Sequence, residues 1–276
     1  VVNDIDFGGD TVTSVTYQYG FYGNFNGNSK QLKNVKVEGT KYNTDYYISL
    51  FPCILGGEVE GLSVVNVRLL TPSVGNCRYL FVGGLSSYVQ SASNGVVINN
   101  IQVSNMTFGL AHGMVTVSDK KVAVGGVVGG LTENQSGRLT MESCQFIQPS
   151  VKVFSDSVGG SFLYFGGMIG DANGADVILK NCHVGFGGTQ SEIGTNVKTA
   201  CAHSYVGSAI GSASNNLVQI DDCLLLEGHL LFIGTPNDYV KKIIGSTSNF
   251  SISFESGSRI DMTNLFFWKQ SNPGGR

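Results

Sequence analysis

The chain has 276 residues, of which 42% are hydrophobic and only 13% charged, with a net charge of −3. Lys and Arg are few and scattered, which excludes the broad electrostatic attraction on which nucleic-acid and anionic-lipid binding rests. No apolar run reaches the roughly 18 to 20 residues that a membrane-crossing helix needs, so no membrane span is expected.

Thirty-eight glycines against five prolines, with abundant Val, Ile, Ser, Thr and Asn, favour tight turns and strands over helices. The length suits one all-β domain that grows by repetition. A start at Val1 without methionine fits a processed or truncated product.

In chain order, the first 46 residues read as an atypical opening coil, and a six-residue pattern follows through the rest. It runs apolar, any, small polar, apolar or Cys, any, apolar. Copies occur at Leu32-Lys33-Asn34-Val35-Lys36-Val37, Val59-Glu60-Gly61-Leu62-Ser63-Val64 and Ile98-Asn99-Asn100-Ile101-Gln102-Val103. Three more are Met141-Glu142-Ser143-Cys144-Gln145-Phe146, Leu179-Lys180-Asn181-Cys182-His183-Val184 and Ile220-Asp221-Asp222-Cys223-Leu224-Leu225. Their fourth positions are 27, 39, 43, 38 and 41 residues apart. A second column precedes them, with first glycines Gly83, Gly125, Gly166 and Gly207 spaced 42, 41 and 41.

Two columns in step predict one coil per repeat of about 40 residues. Each unit reads as three short strands, for example 123–129, 138–147 and 150–155. The small polar residue breaks strict alternation and predicts a corner, since Asn, Gly, Ser and Asp tolerate the left-handed backbone a corner needs. Strand handedness then predicts an all-β, right-handed parallel β-helix, a β-solenoid of about seven coils, stacked about 4.8 Å apart over residues 1–262. Residues 263–276 close the chain as an apolar strand and flexible tail, in which Leu265, Phe266, Phe267 and Trp268 are candidates for an inter-subunit contact. No capping helix is legible at either end.

The opening Asn3-Asp4-Ile5-Asp6-Phe7, then Phe21-Tyr22-Gly23-Asn24-Phe25-Asn26-Gly27-Asn28 and Leu32-Lys33-Asn34-Val35, resembles the F-x-G-x-F-D-G-x-G-x-x-I-x-N-L entry of GLUG-motif β-solenoids. Gly125-Gly126-Val127-Val128-Gly129 and Gly166-Gly167-Met168-Ile169-Gly170 are similar to the glycine-rich half of that motif. The resemblance spans about residues 3–260 and departs from the pattern at Asn26, where Asp is usual, and in the added cysteines. It implies a secreted surface scaffold of the adhesin type and carries no catalytic residues onto this chain.

Candidate chemistry is sparse. Gly125–Gly130 could cradle a phosphate, but no helix pattern follows, so close-packed strands are expected. Asp171, Asn173 and Asp176 offer oxygen ligands without the spacing or bidentate Glu of a calcium loop, which predicts an ordinary turn. Asp221 and Asp222, adjacent in sequence, point apart, and a lyase-like or hydrolase-like carboxylate pair is not expected. His112, His183, His203 and His229 have no partner pattern, and no short Cys-x-x-Cys or His-x-x-x-His spacing suggests zinc. Cofactors, metals and catalysis are therefore not expected.

Cys144, Cys182 and Cys223 fall in one inward column, where buried thiols are expected. Cys53 and Cys77 could pair as a disulfide, and Cys201 could join the column or stand free. The sequons at Asn105, Asn134 and Asn249 predict glycosylation in a secreted chain. Two residues before each glycine column stand Tyr47, Phe81, Ala123, Tyr164, Tyr205 and Tyr239. This row predicts a stacked ladder and is also the preferred place for sugar stacking. The expectation is an extracellular structural or adhesive module, with copies of itself as head-to-tail partners. The alternative is a carbohydrate-binding or pectate-lyase-like β-helix.

Overall fold

The computed structural model describes residues 1–14, 20–70, 76–90, 95–110, 116–131, 137–147, 150–153, 162–185, 193–194, 203–207, 209–214, 217–225, 239–240, 244–248 and 251–252. Within them the chain is all-β, with no helix. Three sheets of 16, 6 and 7 strands carry the architecture, and every strand pairing but one is parallel.

One repeat shows the path. Thr116–Gly125 lies in the seven-stranded sheet, and the chain then bends at Gly126-Val127 into Val128–Leu131 of the large sheet. Arg138–Glu142 and Gln145–Ile147 belong to the same sheet, and Ser150–Val153 to the six-stranded one. Phe162–Gly166 then returns beside Thr116–Gly125, with Gly125 opposite Gly166. Each strand thus pairs with its counterpart about 40 residues away rather than with its neighbour in sequence. The expected strand 123–129 is two strands in two sheets. The glycines end the first strand and turn the chain.

The left-handed corner is present. Gly61, Asn100, Ser143, Asn181 and Asp222 have φ of 63°, 50°, 53°, 56° and 47°. They align through the flanking register, which pairs Asn99 with Glu60 and Glu142, and Lys180 with Glu142 and Asp221. Directly after the corner stand Leu62, Ile101, Cys144, Cys182 and Cys223, each 0–1% exposed. Fully burying Leu62 or Ile101 contributes roughly 1.5–3 kcal/mol each, and the row forms part of the continuous apolar core.

The first interval of 27 is a misalignment. Leu62 pairs with Lys30, not Val35, because the strand Phe21–Lys33 is irregular between Asn26 and Lys30. Asn34 instead meets Asn66 at a second left-handed corner, with φ of 55° and 56°. There the side chains form a ladder. Asn105 Nδ2 donates to Asn66 Oδ1, Asn66 Nδ2 to Asn34 Oδ1 and Asn34 Nδ2 to Asp6 Oδ1, each at 2.9 Å.

In the described N-terminal layers the outermost pairings are made by short strands. Ile5–Asp6 lies against Leu32-Lys33, Thr11–Thr13 against Lys36–Glu38, and Thr40–Tyr42 folds back antiparallel on Asp45–Ile48. Short, polar edge strands of this kind disfavour further strand addition.

Candidate functional site

The glycine columns are packing devices. A Cβ at Gly125 would land on the Val128 carbonyl and 2.8 Å from Gly170 N, and one at Gly129 would lie 2.8 Å from Val82 N. The backbone doubles back on itself here, so Gly125–Gly130 has no room to cradle a phosphate.

Outside this bend, two rows face each other. On the seven-stranded sheet Tyr47, Phe81, Ala123, Tyr164, Tyr205 and Tyr239 are in register. On the large sheet the facing row is Tyr88, Gly130, Asp171, Ser212 and Ser246. A rim row of Tyr79, Lys121, Phe162 and His203 runs beside the first.

The corner changes character along its length. In its N-terminal half, ring meets ring. Tyr47 and Phe81 stack at 5.7 Å, Tyr88 lies edge-on at 6.0 and 4.9 Å from them, and both stacked rings are only 4% exposed. Burial, with the Asp45 carboxylate adding to it, holds the Tyr47 phenol far above its usual range. Phe81 also leans over Gly130, where a Cβ would lie 2.6 Å from the ring.

At Ala123 the ladder loses its ring. Next to this gap Lys121 Nζ reaches Asp171 Oδ2 at 2.5 Å and lies 5.3 Å from the centre of the Tyr79 ring. Beyond it, Tyr164 and Tyr205 stack at 5.5 Å and 20°, and Phe162 lies 6.1 Å from Tyr164 with its plane only 4° away. These three rings are half-buried, while Asp171 is 2% and Ser212 7% exposed. Burial first, then the Asp171 carboxylate, raise the Tyr164 phenol above its usual range and keep it a proton donor.

Of the sequence-predicted sugar-stacking residues, Tyr47 and Phe81 are therefore closed off, and Tyr164 and Tyr205 stand in the open half; Tyr239 is placed by register alone. Sequence reasoning missed Lys121, Asp171 as its partner, and Ser212. The pair joins two neighbouring layers and has no counterpart among the described residues, so no repeat column marks it.

The remaining candidates resolve as structure. Asn173 Oδ1 accepts from Ser214 Oγ at 2.8 Å and Asp176 Oδ1 from Leu217 N at 3.0 Å. With Asp171 on Lys121, the three oxygens of the calcium-like segment are held along the stack. No group of three metal-ligating side chains stands together among the described residues. Asp222 is the exposed left-handed corner and Asp221 the strand end before it. His183 is half-buried, its Nε2 has no hydrogen-bond partner, and burial lowers its pKa. His203 lies on its strand, and His112 and His229 fall outside the described residues.

The cysteine column is a chain of thiols. Cys182 N donates to Cys223 Sγ at 3.4 Å, and Cys182 Sγ contacts the Lys180 and Met141 carbonyls at 3.3 and 3.5 Å. Hydrogen bonding with Cys144, and burial, hold the Cys182 thiol well above its usual range; Cys182 and burial do the same to Cys223. Buried thiols held protonated in this way are poor nucleophiles and poor metal ligands. Cys77 is a buried free thiol, so the disulfide that the sequence allowed with buried Cys53 is not formed. Cys201 lies outside the described residues.

Of the sequons, Asn105 is exposed, but its Nδ2 is already committed to Asn66. Asn134 and Asn249 lie outside the described residues, as do Leu265, Phe266, Phe267 and Trp268. No family model, curated protein or solved structure matches the chain.

Proposed function

We propose that the chain is a right-handed parallel β-solenoid that serves as a structural or adhesive module of an extracellular surface, in keeping with the GLUG-like opening. The observation that carries this reading is the parallel register that recurs from layer to layer among the described residues. It runs from Phe21 to Ile252, with the polar corner groups spent on the stack itself. A scaffold is what such a sequence builds. Its catalytic alternative, a pectate-lyase-like enzyme, needs carboxylates at a set separation beside a basic group, and Asp221 and Asp222 offer neither.

End-to-end assembly belongs to the same proposal, and one observation favours it. The exposed large apolar side chains among the described residues are Val2, Ile5 and Tyr22, at 83%, 43% and 68%, all in the N-terminal layers. Since the edge strands there, Ile5–Asp6 and Thr11–Thr13, are short and polar, a contact through these side chains is favoured over strand addition. Immunogold labelling of intact cells of the source organism tests the reading. Label on the outer face, along fibres or a surface coat, is the expected result; label confined to the cell interior contradicts it.

A further inference from the structure

We propose that Lys121 and Asp171 condense into an intramolecular isopeptide bond, a covalent tie between two neighbouring layers of the stack. The inference stands on this pair and is independent of the surface-module reading.

The two groups are held in reach of each other by the sheets themselves. Lys121 Nζ lies 2.5 Å from Asp171 Oδ2. Each residue sits inside a parallel sheet with a paired strand on both sides: Lys121 between Tyr79 and Phe162, Asp171 between Gly130 and Ser212. Reacting groups oriented by a rigid frame behave as if present at effective concentrations on the order of 10⁵–10⁸ M, far above that of the liquid water that would reverse an amide bond.

The surroundings are also poor in water. The side chains of Lys121 and Asp171 are 17% and 3% exposed, and Nζ lies 5.3 Å from the centre of the Tyr79 ring. Two full charges are costly in such a place, which favours the step that removes them. The ammonium passes a proton to the carboxylate, and the neutral amine attacks Cγ. The Nζ–Cγ bond forms, one Cγ–Oδ bond breaks, and the oxygen leaves as water carrying two of the three ammonium protons. The third stays on the amide nitrogen, and no oxidant or second substrate is consumed. Lys33 and Asp4 provide the internal comparison: they stand 3.4 Å apart with side chains 34% and 49% exposed, hydrated and unconfined, and remain an ordinary ion pair.

The ion pair also has no evident use as it stands. A buried pair is rarely better for stability than apolar residues of the same size, and the neighbouring layers place Tyr79 and Phe162 at the position of Lys121, and Gly130 and Ser212 at that of Asp171. An amide removes both charges and leaves one N–H and one carbonyl. It closes a loop between residues 50 apart, slightly more than one repeat, and ties the seven-stranded sheet to the large one. Layers joined in this way cannot part at this corner when the stack is pulled.

Intact-mass measurement of the whole purified chain under denaturing conditions tests the bond. The expected mass is one water below that of the sequence, and proteolytic digestion should release a branched peptide in which Lys121 is joined to Asp171. Lys121→Met, which keeps the length of the side chain without its amine, should have the full mass of its own sequence, as should Asp171→Ala. Lys33→Met should keep the one-water deficit. The branched peptide from the wild-type chain decides the matter even where a variant does not fold. The proposal is overturned by a full sequence mass in the folded wild-type chain, by a water deficit that persists in Lys121→Met, or by a branch that joins any other pair of residues.

Discussion

Asn66 shows how much one polar residue does here. Its backbone sits at φ 56°, its Nδ2 donates to Asn34 and its Oδ1 accepts from Asn105. Asn66→Ala should cost about 1–2 kcal/mol, combining the left-handed backbone penalty with the lost rungs. Asn66→Gly should recover the backbone part. Equal losses in denaturant melts of the two variants would refute the assignment. Cys77 makes a different test. Burial, reinforced by the Asp45 carboxylate, pushes its thiol from 9.0 up to about 12. The folded chain keeps a proton that the unfolded chain releases, so this contribution is complete below pH 9.0 and is lost as pH rises towards about 12. Denaturation midpoints should fall across that window, less steeply in Cys77→Ala; parallel curves for the two chains would contradict the buried thiol.

At the scale of elements, the corners decide the fold and are also what the sequence displays best. A Cβ at Gly125 has no space beside the Val128 carbonyl and Gly170, so only glycine survives there, and the column is visible as identity. Gly125→Ala should destabilise by about 1–3 kcal/mol; a melting temperature within a degree or so of wild type would mean the bend is looser than this. The left-handed corner likewise admits few residue types, which made Asn100, Ser143, Asn181 and Asp222 readable. The same filter misled at the start, because Asn34 belongs to the second corner and the short pattern around it resembles that of the first. Only the irregularity between Asn26 and Lys30 distinguishes them, and no residue type announces it. The Lys121–Asp171 pair was illegible for another reason. It joins neighbouring layers across a concave corner, 50 residues apart in sequence, and nothing in a local window encodes that approach. The aromatic row was legible, but its division into a sealed half and an open half depends on the facing row, from Tyr88 to Ser212.

For the whole molecule, the account joins a repeating core to two distinct surfaces. The thiol and aliphatic rows hold the layers together; the N-terminal layers present Val2, Ile5 and Tyr22 beside short polar edge strands; the outer corner carries the half-buried rings of Phe162, Tyr164 and Tyr205. A stack of this kind can lengthen without changing its cross-section, which suits the surface module proposed above. All of this depends on the rows being in register from layer to layer. Crystallographic determination of the purified chain tests that most directly. The account predicts Cys144, Cys182 and Cys223 in one inward column, successive Cα atoms about 4.8 Å apart, on the coils of a right-handed solenoid. Finding these three residues on different faces, or the strands paired with their neighbours in sequence, would contradict it.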